Sequence, residues 1–258
     1  MLRIKKLILF LMVTGISSLV SFSVFAQSVT DITDQPISKP ILIMFVLFIM
    51  SMAPFILMMT TSFIKIAVVL SLIRSAMGVQ QIPPNPIITG LALILTVYIM
   101  IPVGQEMYNE ARTEIVETDT NAEILSVASI DKVKAAIDKG KEPLRTFLVK
   151  HCHGKERKLF YGLGKKLKIN QTIGELTDKD FIVIIPAFVI SELTEAFQIG
   201  FMIFLPFLVI DMVVSNILLS MGMFQLSPIT VSLPFKLLLF IMVDGWFLIT
   251  KGLVSGYM

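Results

Sequence analysis

Six ionisable side chains stand in or beside apolar stretches of this chain: Lys65, Glu192, Glu195, Asp211, Lys236 and Asp244. An ion in hydrocarbon-like surroundings costs several kcal/mol unless a partner receives it, so such residues usually face a protein interior or a water-filled path. Two kinds of chemistry fit them. One is a proton or ion relay through Glu192, Glu195 and Asp211, as in coupled transporters; the other is ion pairing that fixes how helices and subunits meet. No histidine lies in the apolar part to relay protons near neutral pH, which favours pairing. Lys236 and Asp244 are roughly 12 Å apart along a helix and some 80° apart around it, so they cannot pair with each other. A hairpin centred near Leu226 would set Lys236 opposite Asn216, with Asp211 roughly 7 to 8 Å further along. The expectation is an Asp211–Lys236 pair, within the chain or between copies, that helps fix the assembly.

Other chemistry finds no footing. His151, Cys152 and His153 are the only His and Cys residues, and three adjacent residues cannot converge on one tetrahedral ion, so no metal is expected. With a single cysteine, no disulfide can form within the chain. Dinucleotide, P-loop and zinc-protease motifs are absent from the sequence, as is a G-x-S-x-G nucleophile elbow. The chain is therefore read as a non-enzyme without cofactors. A net charge of +3, with no basic arm or stripe, gives no case for nucleic acid.

The elements that must hold the six charges are set by hydropathy. The chain is 55% hydrophobic and 16% charged, with a mean hydropathy of +0.84, the balance of a membrane-associated protein. Arg3, Lys5 and Lys6, an apolar run from Leu7 to Phe22 and the small-x-small site Val24-Phe25-Ala26 read as a signal peptide over 1–26. The competing reading is an uncleaved anchor. Four further apolar segments, 41–59, 87–103, 199–219 and 229–250, form two pairs: a first helical hairpin over 27–105 and a second over 181–258. Four crossings after cleavage put both termini on the periplasmic side. Lys65 and Arg74 in the expected cytoplasmic loop, about 60 to 86, agree with the positive-inside rule.

Between the hairpins, 106–180 is polar and reads as a small periplasmic helical insert. Ile130, Val133 and Ile137 recur with helical period before Gly140, as do Leu144, Phe147 and Leu148 after Pro143. Thr177 and Asp180 form a capping-box-like start to the next helix. From Phe181 to Leu219 only Pro186 and Pro206 interrupt, so one long or kinked helix is expected, too long for a bilayer core of about 30 Å. Gly90, Gly104 and Gly200 offer close helix contacts. Sixteen methionines, several in "LLSMGMFQLSP" (218 to 228), suit a flexible seal or a plain apolar filler.

The stretches "MTTSFIKIAVVLSLIRSAMGVQQIPPN" (59 to 85), "IMIPVG" (99 to 104), "IPAFVISELTEAFQIGFMIFLPFLVIDMVVSNILLSMG" (185 to 222) and "SLPFKLLLFIMVDGW" (232 to 246) closely resemble the export-gate subunit of type III secretion, the SctR family of injectisomes, homologous to flagellar FliP. "GVQQIPPN" and "ITKGLVSGYM" look more like the injectisome branch, whereas a signal peptide is commoner among flagellar members. The resemblance implies an all-α membrane-associated protein that assembles into a ring-like export gate in the inner membrane, within the basal body. It implies about five copies of the chain, joined by SctS-like and SctT-like subunits and other export components. Unfolded secreted proteins would be the cargo. Relatives carry consecutive methionines after the glycine matching Gly222, thought to form a gasket. Here Met221, Met223, Phe224 and Gln225 occupy that region, and the departure leaves the chemistry of the seal open. From the charges alone, the rival of another class is a small ion-coupled secondary transporter.

Overall fold

The computed structural model describes residues 38–79, 82–116, 127–167 and 176–258. The signal-peptide reading over 1–26 falls outside them. Among the described residues the protein is all helix, with no strand. The helices are α1 (Ser38–Thr60), α2 (Phe63–Met77), α3 (Asn85–Val116), α4 (Val127–Gly140), α5 (Glu142–His151), α6 (Gly154–Lys166), α7 (Phe181–Ser220), α8 (Pro228–Met242) and α9 (Gly245–Ser255). The chain divides into two units at Pro54. The first contains most of α1, whose Met44, Phe45, Leu47, Phe48 and Met50 are all exposed.

The second unit is organised round α2. Residues 60–86, expected as a cytoplasmic loop, instead contain this 15-residue helix, which buries Lys65, Ile66, Val69, Leu70, Ile73 and Met77. That spacing is one helical face and more, so the helix is enclosed rather than laid on a surface. It packs between α7 and α3 and also touches α8. Gly78, at φ 73°, ends it, and its N–H is donated to the Ser75 carbonyl. A left-handed residue at that position is where glycine carries no Cβ penalty. Since Lys65 is buried, it is not a free loop charge, and the positive-inside argument loses it. Arg74 is also engaged, donating to the Asn85 side chain at 2.5 Å and the Pro83 carbonyl at 3.2 Å.

The polar insert is not a separate body. Helix α3 runs through the boundary expected at 105/106, and Phe147, Leu148 and Cys152 lie in the same buried cluster as Ile66, Ile184 and Phe188. Helix α4 turns Ala136 and Gly140 inward and leaves Ile137 62% exposed, so Ile137 is off the buried face it was expected on; the side chains of Ile130 and Val133 lie outside the described ones. Gly140 sits so close to α3 that a Cβ there would lie 3.3 Å from Ala111 Cβ.

Helix α7 is unbroken from Phe181 to Ser220 and contains both Pro186 and Pro206. Its N-cap is Asp180, not Thr177. The reach-back half of the motif does form, with the Asp180 carboxylate accepting the Thr177 N–H at 2.6 Å. At ~1.5 Å per residue the helix is about 60 Å long, twice the hydrocarbon core. Of the three glycines expected at contacts, only Gly200 makes one: a Cβ there would fall 2.3 Å from Leu72 Cδ1, whereas Gly90 and Gly104 have nothing within 4 Å.

Segment 229–250 is not one straight span. Helices α8 and α9 meet at 60° across Asp244, which takes the left-handed conformation (φ 53°, ψ 51°). A short polar side chain tolerates that conformation better than most. Gly245 follows because Phe240 crowds it: a Cβ would lie 2.4 Å from the ring. Asp244 is exposed at this corner, so it does not belong among the buried charges. Among the described residues three helices, α1, α3 and α7, are long and apolar enough to cross a membrane, giving up to four spans if the bent pair α8–α9 counts as one.

Candidate functional site

The remaining five expected charges gather into two clusters, both on α7. In the first, α2 presents Lys65 to α7 from within its own first turn. Its Nζ lies 3.3 Å from Glu192 Oε1 and 2.5 Å from Glu195 Oε2. Lys65 and Glu192 are fully enclosed, Glu195 partly so. An unpaired ion at such depth would cost several kcal/mol, and three further groups complete the site. The Tyr257 hydroxyl donates to Glu192 Oε2, and its ring stands 4.3 Å under the lysine ammonium. His153 Nε2 is 2.9 Å from Glu195 Oε1, while the His153 N–H donates to Ser191 Oγ at 3.0 Å. The Ser191 hydroxyl donates to the Ala187 carbonyl at 2.8 Å. One cluster thus ties together α2, α7, the α5–α6 junction and the segment after α9.

Burial and the nearby Glu192 carboxylate push the Tyr257 hydroxyl well above its ordinary range, so it remains a donor. His151 packs tilted against both Phe147 and Tyr257, with ring centroids 4.7 and 4.9 Å away. Burial first, then Lys150 and Lys65, lowers its pKa to about 4. Cys152 is buried, and burial raises its thiol. The described residues contain no group of His, Cys, Asp and Glu able to hold a metal ion.

In the second cluster, Lys236 of α8 meets Asp211 of α7 within the chain: Nζ to Oδ2 is 2.6 Å. Ser232, one turn earlier on α8, donates its hydroxyl to Asp211 Oδ1 at 2.5 Å, and Lys236 also approaches the Ala76 carbonyl of α2 at 3.4 Å. The hairpin register therefore differs from one centred at Leu226, which set Lys236 opposite Asn216. The turn Met221–Ser227 brings α8 back so that both Ser232 and Lys236 address Asp211. Sequence reasoning missed Ser191, Ser232, His153 and Tyr257. Each lies away from its acid in sequence or beside it on a helix, and only the "SEL" and "SLPFK" patterns, a hydroxyl next to a buried ion, hinted at them.

Beyond the second cluster the hairpin carries no charged residue. Met221, Met223, Phe224 and Gln225 are all exposed at its tip, Phe224 by 76%. Gly222 turns the chain there at φ 75°. An open apolar groove of about 640 Å³ runs between α7 and α8 below the tip, lined by Val213, Ile217, Met221, Met223, Leu226 and Phe235 among others.

Buried charges paired between helices, and helices long and apolar enough to span a bilayer, define an all-helical membrane protein. A model of the FliP family matches residues 46–253, and the chain belongs to that family. It is 47% identical to Yop proteins translocation protein R of Yersinia pestis over 212 residues, 82% of this chain and 94% of the relative. Hypersensitivity response secretion protein HrcR of Ralstonia nicotianae is 42% identical over 80% of this chain and 92% of its own length. Flagellar biosynthetic protein FliP of Bacillus subtilis is 42% identical over 86% and 94%.

Proposed function

We propose that this chain is a core pore subunit of the inner-membrane export gate of a type III secretion system, passing unfolded proteins. Identity of 47% along 94% of a Yop translocation protein carries the reading. The hairpin tip agrees with it, since Met221, Met223 and Phe224 stand uncovered by their own chain and are free to meet other subunits. Several copies of the chain, with SctS-like and SctT-like subunits, surround α7 and α8, and the termini and the insert lie on the periplasmic side. The Asp211–Lys236 pair holds the hairpin in the shape these neighbours need. Met221, Met223 and Phe224 line the closed gate.

Two measurements test this. Affinity purification from native membrane followed by mass spectrometry is expected to recover SctS-like and SctT-like subunits, and their absence would count against the gate. Small residues at 221, 223 and 224 are expected to raise ion conductance of the closed complex; unchanged conductance removes the gasket. The flagellar reading rests on the 42% identity to flagellar FliP, and is separated by whether deletion abolishes motility or effector secretion.

A further inference from the structure

Helix α9 turns one side to its own chain and leaves the other bare, and the bare side carries two opposite charges. The side chain of Leu253 is buried. Phe247 and Leu248 are 57% and 54% exposed, and Asp244, Lys251 and Ser255 are exposed as well. At ~100° per residue, Phe247, Leu248, Lys251 and Ser255 share an arc of about 100° on the side away from Leu253. Asp244 stands two turns before Lys251 and in line with it. Its carbonyl already accepts the Leu248 N–H at 3.1 Å, so it belongs to the same helical frame.

Neither ion is matched within the chain. From Pro228 onward the charged residues are Lys236, Asp244 and Lys251, and Lys236 is taken by Asp211. The Asp244 carboxylate has no ion pair or side-chain hydrogen bond among the described residues. The Lys251 ammonium reaches the Phe247 ring, 5.8 Å from its centroid, and no carboxylate. Around them the surface is apolar: Ile241, Met242 and Trp246 are 73%, 75% and 43% exposed, and α8 with α9 is apolar enough to count as one membrane span. An ion at such a place is costly unless an opposite charge receives it. Lipid tails would cover Phe247 and Leu248 and leave both ions unmatched. The occupant must instead bring a cation to Asp244 and an anion to Lys251, about 10 Å apart, with small or apolar side chains between them. Seven residues of a helix give that spacing with both ions on one side. A second copy of the chain meets the requirement with its own α9 run antiparallel, but such a self-matching contact closes at two copies. The proposed gate holds several copies joined by other membrane subunits, and the face is assigned to one of the latter.

We propose that the outer face of α9 docks a membrane helix of a different subunit, one that carries a basic and an acidic residue a heptad apart, set against Asp244 and Lys251. Matched charges of this kind choose the partner and fix its register. The proposal rests on the reading that the chain assembles with other membrane subunits. It is tested with the full chain in native membranes, with a photoreactive residue at 248 and sequencing of the linked peptide by mass spectrometry. The expected adduct lies in a membrane helix of another subunit that has the two ions at that spacing. Asp244→Asn, which suits the left-handed backbone, and Lys251→Met, which keeps the length of the stem, should each lower its yield several-fold. Thermal unfolding of the chain purified alone should stay unchanged, because neither ion is bound by its own fold. Lys251→Glu should also lose the adduct, and reversing the partner's acid to lysine should restore it. An adduct to α9 of a second copy, to lipid alone or to a helix without such ions overturns the proposal, as does a yield indifferent to both neutral variants. No adduct at 248 while other membrane subunits still co-purify overturns this interface alone. If none co-purifies, the assembly reading falls and takes this interface with it.

Discussion

The two halves of α7 have the same length and similar apolar composition, yet opposite surroundings. From Phe181 to Gly200 the helix buries Val183, Ile184, Ala187, Phe188, Ser191, Glu192, Ala196 and Gly200. From Phe201 to Ser220 only Phe207, Val214 and Leu218 are buried, while Phe201, Met202, Met212 and Ile217 are more than half exposed. Hydropathy cannot tell a helix enclosed by its own chain from one waiting for lipid or a partner, because both are apolar all round. The polar residues do tell. In the first half each polar group inside has a partner from another element of the chain. In the second, the one charge, Asp211, is tied to the hairpin's own Lys236, and the rest of the surface has no cover.

Breaking the enclosed half should have the largest effect. Lys65→Met leaves Glu192 buried without its cation, a change of the kind that costs about 3–5 kcal/mol. Thermal unfolding in detergent should show a drop of that order, and the double variant Lys65→Met/Glu192→Leu should recover much of it. If the double variant unfolds no later than the single one, the cluster is not the keystone of that half.

A smaller loss is expected in the open half. Asp211 is 31% exposed, so water can partly replace it, and Asp211→Asn retains an acceptor for Ser232. Assembly, read as high-mass complex on native gels, should fall for Asp211→Asn and for Lys236→Met, with monomer unfolding little changed. If neither single change reduces assembly, the pair does not act there.

The smallest effect is a pH dependence confined to the enclosed half. With a folded pKa of about 4 against 6.5 for the free side chain, His151 binds its proton more readily in the unfolded chain. Stability should therefore decline as pH falls from about 6.5 toward 4. His151 is partly exposed, which discounts the size of the effect. His151→Phe, which keeps the aromatic contacts with Phe147 and Tyr257, should flatten the profile in that window; an unchanged slope would assign the dependence to other groups.

The sequence made some of this legible and concealed the rest for physical reasons. The long helix, the hairpin after it and a carboxylate partner for Lys236 follow from period, turn residues and the cost of a buried ion. The central role of α2 does not, since a 15-residue apolar helix next to a turn looks like the tail of a loop when its neighbours are unknown. Asp244 misled because its charge was weighed and its place in "VDGW" was not: Asp-Gly is a turn signal, and the chain bends there. Tyr257 is a tertiary fact, set by how the end of the chain meets α7, and no local pattern encodes it.

The central claim, that the bare tip of the α7–α8 hairpin faces exported protein, is tested most directly by photo-crosslinking in living cells with a secreted substrate arrested in transit. A photoreactive residue at 224 should give a substrate adduct, while one at 147, inside the enclosed core, should give none. An arrested substrate that never links to 224 would contradict the account.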